Sequence, residues 1–238
     1  MRPNLDVHPH PEPGPVADTS SAYDLVDVAD IPGGGQLHLV RVGTDYEILV
    51  AGEQLMGTWS NRSEQALATL AHAALDRPAD NVLIGGLGMG FTLAAALDIL
   101  PATATITVAE LVPQVLEWAR GPLAHVHGGS LADPRVLIEM RDVHDVIDQA
   151  EGRYDLILLD VDNGPDGLVT LSNERIYCAW GLRSARAALR PGGVLAIWSA
   201  YPDHDFSARL RAAGFDVSEA ELDPAPDESA HTIWIATA

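Results

Sequence analysis

The chain has 238 residues, of which 47% are hydrophobic and 20% are charged, a composition that is typical of a folded globular protein and excludes a fibrous one. Its formal net charge of -20 makes nucleic acid and anionic membrane surfaces unfavourable partners and favours a small cationic molecule. Lysine is absent, which excludes Schiff-base chemistry on a lysine, and the single cysteine, Cys178, excludes an intrachain disulfide.

The N-terminal part of the chain differs in composition from the rest. Residues 1–35 are rich in proline and contain no long apolar run, which predicts an extended or disordered arm without a secretion signal. Over residues 36–50, two apolar runs flank a Gly-Thr-Asp turn, the pattern of a β-hairpin. Asn61 and Glu64 then have the spacing of a capping box, and apolar residues recur at helical spacing as far as Arg77. We therefore predict a small β element with a linking helix over residues 36–77.

From residue 78 onward, apolar strand-like runs alternate with helical stretches. The runs are NVLIGG, TITVAE, RVLIEM, YDLILLD and GGVLAIWS, and the longest helix is predicted over residues 173–189. This alternation predicts an α/β domain over residues 78–238, with a mostly parallel sheet covered on both faces. The C-terminal run HTIWIAT is expected to pair antiparallel at the sheet edge. No run is long enough to span a bilayer, and with one cysteine we expect the reducing cytoplasm.

The strongest local motif is a strand that runs into a glycine-rich turn before a helix. Glycines stand at Gly86, Gly88 and Gly90, where the backbone can turn sharply and approach a ligand. This G-x-G-x-G spacing differs from the G-x-G-x-x-G of dinucleotide-binding proteins, which favours a ligand other than NAD. Glycines that serve packing alone are the alternative.

Acidic residues follow the ends of three predicted strands. Glu110 ends the strand after the glycine turn, where nucleoside-binding α/β folds place an acid that accepts the ribose hydroxyls. Asp142 and Asp160 end two later strands. Because the carboxyl ends of parallel strands meet at one edge, these positions converge on one crevice. Taken singly, Asp142 is also a plausible helix cap and Asp160 a plausible turn residue.

Together these motifs resemble a known family. The sequence over residues 36–238 is similar to the spermidine synthase-like family, which is built on the class I methyltransferase Rossmann-like domain. The resemblance is carried by the glycine turn, Glu110 in VAEL, residues 133–136 (DPRV), Asp142, YDLILLD and LRPGGVL. It implies a mostly parallel seven-stranded sheet with helices on both faces and a small N-terminal β-hairpin element, and the family often forms homodimers.

The resemblance also implies a role for each motif. S-adenosylmethionine or its decarboxylated form would be the cofactor, with Asp142 at the adenine amino group and Asp160 as the catalytic residue facing the acceptor. The residues around its methionine part and ribose would be Gly86, Gly88, Met89, Gly90 and Glu110. The reaction is a direct displacement at a carbon attached to the sulfonium, for which the protein aligns the nucleophile and accepts a proton.

Three departures from the family pattern decide which reaction we predict. Met89 stands where aminopropyltransferases of the family have an Asp that pairs with the ammonium of decarboxylated S-adenosylmethionine. The family's Tyr-His-Glu segment is not recognisable before His72, and the second acid of the catalytic turn comes one residue early, at Asp162. We therefore predict methyl transfer to a small, amine-bearing acceptor. Aminopropyl transfer is the alternative, and a non-catalytic nucleoside-binding relative is the third.

The acceptor pocket is predicted from less specific signals. Asp162, Asn163, Tyr177 and His72 are its candidate residues, and Trp180, Trp198 and Tyr201 could stack on adenine or enclose an ammonium group. Turn formation by the Asp and Asn, core packing by the aromatic rings and a buried hydrogen bond at His72 are the alternatives. No metal is expected, since His125 and His127 have no third ligand nearby in sequence.

Overall fold

A computed structural model of the protein describes residues 23–161, 164–165, 174–203, 205–222 and 230–238. It contains two sheets, one antiparallel with four strands and one mixed with seven. No helix in these ranges is both long and apolar enough to cross a membrane.

The antiparallel sheet lies at the N-terminal end. Its strands, in spatial order, are β1 (Asp24–Asp30), β2 (Gln36–Val42), β3 (Asp45–Val50) and β4 (Glu53–Gly57). The predicted hairpin corresponds to β2 and β3, which are extended by a further strand on each side. Ala51 and Gly52 join β3 to β4 with positive φ angles of 49° and 84°, as a tight two-residue hairpin turn requires.

The structure corrects the boundary of the predicted arm. Residues 24–30 were included in it, but they form β1 and pair with β2 from Asp24 opposite Arg41 to Asp30 opposite Gln36. Two backbone hydrogen bonds between Ile31 and the glycines at 34 and 35 close the turn between the strands. Residues 1–22 lie outside the described part of the chain.

The seven-stranded sheet has the predicted α/β arrangement. Its strands are β5 (Asn81–Gly85), β6 (Thr105–Glu110), β7 (Val136–Met140), β8 (Tyr154–Leu159), β9 (Leu189–Ser199), β10 (Asp216–Leu222) and β11 (His231–Thr237). Their spatial order is β10-β11-β9-β8-β5-β6-β7, with β9, β8, β5, β6 and β7 parallel. β11 pairs antiparallel with β9, as predicted for HTIWIAT. β6 lies on one side of β5, and β8 lies on the other side, so the strand order reverses at β5. In open α/β sheets, ligands bind at the carboxyl ends of the strands where the order reverses in this way.

Helices cover both faces of this sheet. They are α1 (Arg62–Ala74), α2 (Phe91–Ile99), α3 (Pro113–Arg120), α4 (Ala124–His127), α5 (Val143–Asp148), α6 (Glu174–Tyr177), α7 (Ala179–Ala188) and α8 (Phe206–Ala212), with a 3-10 turn at Ser130–Ala132. One apolar cluster joins α1, α2 and α3 to the antiparallel sheet, and a second joins α5, α7 and α8 to the other face. The first cluster fixes the small sheet over the carboxyl ends of the large one.

Candidate active site

A cavity of about 390 Å³ lies between the two sheets. One wall is formed by residues at or just beyond the carboxyl ends of the parallel strands β5 to β9, and another by the antiparallel sheet. Four acidic residues of the described chain line it: Glu64, Glu110, Asp142 and Asp160. Its lining also includes Met56, Gly86, Gly88, Arg141, Trp198, Tyr201 and His231. This volume is within the range of small-molecule sites.

The glycine turn lies directly against the cavity. Gly86 and Gly88 have φ angles of 87° and 48°, in the left-handed region that favours glycine. A Cβ on Gly86 would collide with the backbone oxygen of Asp160, and one on Gly88 would lie 2.8 Å from Cε of Met56 in β4. The absence of side chains at these two positions therefore lets the end of β8 and the Met56 side chain pack closely against the turn.

The other two turn residues in our prediction do not line the cavity. Met89 is 1% exposed and packs in the core beneath the turn. Gly90 is the N-cap of α2 with a φ angle of 79°, and a Cβ there would collide with the His127 ring. Met89 and Gly90 thus stabilise the turn without lining the cavity.

Glu110 connects the turn to the next strand. Its Oε2 accepts a hydrogen bond from the Leu87 N–H at 2.9 Å, and its Oε1 accepts one from the Val112 N–H at 2.7 Å. Burial raises the pKa of this carboxyl, against the effect of the backbone donors. A carboxylate at this position of the cavity wall is the type of group that accepts ribose hydroxyls in nucleoside-binding α/β folds.

Asp142 is a helix cap as well as a cavity residue. Its Oδ1 accepts a hydrogen bond from the His144 N–H at 2.9 Å, at the start of α5, and its Oδ2 accepts one from Arg175 at 2.7 Å. The capping alternative is therefore correct for Asp142, and both roles are compatible. The partner Arg175, in α6, was not predicted, because nothing in its local pattern indicates a contact with residue 142.

Asp160 lies at the end of β8, next to the glycine turn. Its N–H donates to the Gly85 oxygen at 3.0 Å, and its Oδ2 accepts a hydrogen bond of 2.6 Å from the Thr92 hydroxyl. Desolvation raises the pKa of Asp160 to about 6, while the hydrogen bond from Thr92 lowers it. A carboxyl group with this pKa is well suited to accept a proton near neutral pH. Thr92 is a contributor that the sequence reasoning missed.

The predicted acceptor residues are dispersed. Tyr177 is buried behind Val161 and donates a hydrogen bond to its backbone oxygen at 3.2 Å. His72 lies in the last turn of α1, beside a shallow depression formed by residues 75–78 and 99–101. Asp162 and Asn163 lie outside the described residues.

Two of the other candidate aromatic side chains line the cavity. These are Trp198 and Tyr201, whereas the Trp180 ring packs against His144 at a tilt of 43°, with ring centroids 5.0 Å apart. Glu64 also lines the cavity, and the Asn61 side chain makes no capping hydrogen bond, so the capping-box prediction is wrong for Asn61. In the described ranges, no three His, Cys, Asp or Glu side chains cluster as metal ligands do.

Comparisons with known proteins agree with this fold. No protein-family model matches the chain. The polyamine aminopropyltransferase 1 of Streptomyces coelicolor is 29% identical over 163 residues, which are 65% of this chain and 30% of that protein. The polyamine aminopropyltransferase of Nitrosomonas europaea is 32% identical over 144 residues, which are 59% of this chain and 42% of that protein. The chain thus matches less than half the length of these curated relatives.

Solved structures extend the likeness over most of the chain. The crystal structure of spermidine synthase from Thermotoga maritima has a TM-score of 0.72 and 17% identity, covering 90% of this chain and 72% of that one. A spermidine synthase in complex with the transition state analogue AdoDATO has a TM-score of 0.71, 16% identity and the same coverage. Sequence similarity and shared fold therefore confirm the resemblance to spermidine synthase-like proteins with a methyltransferase-like α/β fold.

Proposed function

We propose that the protein is a polyamine aminopropyltransferase of the spermidine synthase type, which moves an aminopropyl group from decarboxylated S-adenosylmethionine to a small amine. Two of its relatives are polyamine aminopropyltransferases, which favours aminopropyl transfer, the alternative reaction in our prediction, over methyl transfer. The observation that carries the proposal is Asp160, whose carboxyl group lines the cavity beside the glycine turn.

In this reaction, the acceptor nitrogen attacks the aminopropyl carbon bound to the sulfonium. A C–N bond forms, the C–S bond breaks, and its electron pair remains on sulfur, which gives neutral 5′-methylthioadenosine. The new secondary ammonium loses one proton, and Asp160 is the group that accepts it. The positive sulfur already activates the carbon, so the protein contributes mainly alignment and proton acceptance.

The lining of the cavity supports a nucleoside donor and a cationic acceptor. Gly86 and Gly88 line the cavity without side chains, and Glu110 places a carboxylate at its wall for the ribose hydroxyls of the donor. The cavity is also lined by the acidic residues Glu64 and Asp160 and by the aromatic residues Trp198 and Tyr201. Aromatic faces and carboxylates together favour an ammonium group over an anion. Arg141 also lines the cavity, but it lies on the Asp142 side and forms a 3.6 Å ion pair with Glu139.

An activity assay with an Asp160 variant tests the proposal. Purified protein supplied with decarboxylated S-adenosylmethionine and a diamine should release 5′-methylthioadenosine and form the extended polyamine, both measured by mass spectrometry. Asp160→Asn should reduce kcat by about 100-fold or more, as expected for loss of a general base. Asp216→Asn, on exposed β10, is the matched control and should retain full activity. Wild-type rates for Asp160→Asn would remove Asp160 from the mechanism.

Methyl transfer is the second candidate, and one observation favours it. Met89 packs in the core, so residue 89 offers the donor's ammonium no carboxylate. The same assay with S-adenosylmethionine distinguishes the reactions, because methyl transfer releases S-adenosylhomocysteine in place of 5′-methylthioadenosine. Binding of both donors without turnover would support the third alternative, a non-catalytic nucleoside-binding protein.

A further inference from the structure

The pairing of the parallel strands sets four residues of the cavity in one row across the sheet. Gly86 lies between Glu110 of β6 and Asp160 of β8, because the residues immediately before these three are paired. Trp198 of β9 continues the row on the other side of Asp160, since the preceding residues of β8 and β9 are paired as well. Neighbouring strands are about 4.8 Å apart, so the backbone of Glu110 lies about 10 Å from that of Asp160.

The row gives the proposed reaction a direction. With its ribose at Glu110, the donor extends across Gly86 towards Asp160. Displacement requires the nucleophile to approach the carbon from the side opposite to the sulfur, in line with the bond that breaks. The acceptor therefore lies beyond Asp160, where Trp198 is the next residue of the row.

The side chains of Asp160 and Trp198 point to the same face of the sheet. Leu158 of β8 and Ala196 of β9 both belong to the apolar cluster on the α1 face. Because side chains alternate between the two faces along a strand, the residues two positions further on, Asp160 and Trp198, share that face. Both line the cavity, and Trp198 is 7% exposed. The indole is thus the neighbour of the Asp160 carboxyl group on this wall.

The rest of the wall on this side is formed by the end of β9 and the start of β11. Ala200 and Tyr201 follow β9 and line the cavity, as does His231, the first residue of β11. The His231 ring meets the Trp198 ring edge-on, with centroids 4.9 Å apart and an angle of 64° between the ring planes. None of these four residues has a carboxylate, and three of them are aromatic.

We infer that the acceptor is a monoamine with an apolar alkyl or aryl body, which packs against Trp198 while its amino group meets Asp160. This inference rests on the proposed aminopropyl transfer and names its acceptor class. A hydrocarbon body gains free energy when it is buried against the indole. A second ammonium in its place would lose its hydration, and a cation–π contact with Trp198 would offset only part of that loss.

The other acidic residues of the described cavity lining belong to other elements. Glu110 lies on the donor side of Gly86, and Asp142 follows β7, which is further away in the strand order. Glu64 lines the cavity from the first turn of α1, where its Oε2 accepts a 2.6 Å hydrogen bond from the Ser63 hydroxyl. The residue beside Asp160 in the sheet is Trp198, and we therefore expect the body of the acceptor to meet an aromatic ring first.

Kinetics with two acceptors of equal length test the inference. They are n-pentylamine and the diamine of the same chain length, in which an ammonium group replaces the terminal methyl group. With decarboxylated S-adenosylmethionine, both release 5′-methylthioadenosine, so one mass-spectrometric assay measures both reactions. The wild-type kcat/KM should be higher for n-pentylamine by about tenfold or more, as expected when the diamine has to desolvate an unpaired ammonium.

Two variants test whether this wall sets the preference. Ala200→Asp adds a carboxylate at a partly exposed position of the wall and should shift the ratio of the two kcat/KM values towards the diamine by about tenfold. Trp198→Ala removes the ring and should lower kcat/KM for n-pentylamine more than for the diamine. Both variants should bind 5′-methylthioadenosine with the wild-type Kd in calorimetry, which shows that they are folded.

The matched control adds the same charge far from the cavity. Ala102 lies in an exposed turn just before β6, at the amino ends of the parallel strands. Ala102→Asp should keep the wild-type ratio of the two kcat/KM values. An equal shift in Ala102→Asp and Ala200→Asp would overturn the inference, because the preference would then follow the net charge of the protein.

The remaining outcomes separate the inference from the proposed function. If the wild-type protein releases no 5′-methylthioadenosine with either amine, aminopropyl transfer and the inference both fail. If it does so and prefers the diamine, the inference alone is overturned, since a carboxylate outside this wall then binds the second ammonium. A preference for n-pentylamine that Ala200→Asp and Trp198→Ala both leave unchanged would also overturn it, because the apolar body would then bind elsewhere.

Discussion

At the scale of single residues, Asp160 shows how local surroundings tune a carboxyl group. Desolvation at the end of β8 raises its pKa from 3.8 to about 6, although the Thr92 hydroxyl stabilises the ionised form. Because the folded protein binds this proton more tightly than the unfolded chain, Asp160 stabilises the fold below its ordinary pKa. That stabilisation is lost as the pH rises through about 6. The ionised form, which the proposed proton acceptance requires, therefore has a cost in stability.

This balance predicts how activity depends on pH. Activity, measured as kcat/KM for the acceptor, should rise with pH and reach half of its Asp160-dependent level near pH 6. Thr92→Val removes the hydrogen bond that lowers the pKa of Asp160, so the midpoint should move to higher pH. Thr69→Val, whose hydroxyl bonds to backbone oxygens of its own helix, is the control and should keep the wild-type profile. Superimposable profiles for all three proteins would exclude Asp160 as the titrating group.

At the scale of elements, Asp155 is a structural carboxylate at the start of β8, the end of the strand opposite to Asp160. Asp155 is 1% exposed and accepts hydrogen bonds from the N–H groups of Asp80 and Asn81 and from the guanidinium groups of Arg77 and Arg190. Burial alone would raise its pKa, but these four donors outweigh burial and hold the pKa below its ordinary value. Asp155 thus joins the start of β5, the start of β8 and the start of β9.

We expect Asp155→Asn to lower the free energy of unfolding at pH 7 by about 3 kcal/mol, because it leaves two guanidinium groups without their charged partner. Since the folded pKa is depressed, the stabilisation by wild-type Asp155 is present above the ordinary carboxyl pKa, about 4, and is lost as the pH falls below it. Urea denaturation should therefore show a larger difference in the free energy of unfolding between variant and wild type at pH 7 than at pH 3. Asp216→Asn is the control, and an equal difference at both pH values would contradict the linkage.

The helices and strands differ in how clearly the sequence predicts them. Strands β5, β8 and β9 were predicted because central parallel strands are buried on both faces and appear as uninterrupted apolar runs. β1 was missed because most of its residues are exposed and it follows a proline-rich segment. The predicted helix over residues 173–189 is broken at Cys178 into α6 and α7. At this break Gly181 comes so close to the backbone of residues 175 and 176 that a Cβ would collide with it.

The residues of the candidate site also divide into those that the sequence predicted and those that it did not. Gly86, Glu110 and Asp160 were found because each stands at a strand end, and strand order alone brings strand ends together. Thr92 and Glu64 were missed because the contact of Thr92 with Asp160 and the place of Glu64 in the cavity lining depend on how α1 and α2 pack. His72 was assigned to the site although it lies near the opposite end of α1 from Glu64. Sequence spacing shows which face of a helix is apolar, but it does not show which end of the helix approaches the sheet.

At the scale of the whole molecule, the cavity depends on both sheets. Ile31, Leu37, Ile48 and residues 54–57 of the antiparallel sheet form one wall, opposite the strand ends of the large sheet. Trp118 in α3 donates a 2.7 Å hydrogen bond from Nε1 to Asp27 in β1, which joins the two parts directly. The small sheet is therefore a component of the candidate site, and the β1 strand outside the predicted hairpin takes part in holding it there.

The net charge of -20 acts on the proposed reaction at the same scale. A negative protein raises the local concentration of a cationic acceptor, and salt screens this attraction because the Debye length falls from about 10 Å at 0.1 M to about 3 Å at 1 M. The KM for a diamine acceptor should therefore rise several-fold between 0.05 M and 0.5 M NaCl, whereas the Kd for neutral 5′-methylthioadenosine should stay constant. Steady-state kinetics and calorimetry across this series provide the two measurements. A KM that does not change with salt would mean that the acidic surface contributes nothing to binding of the acceptor. The acceptor would then interact only with carboxylates inside the shielded cavity, where salt has little access.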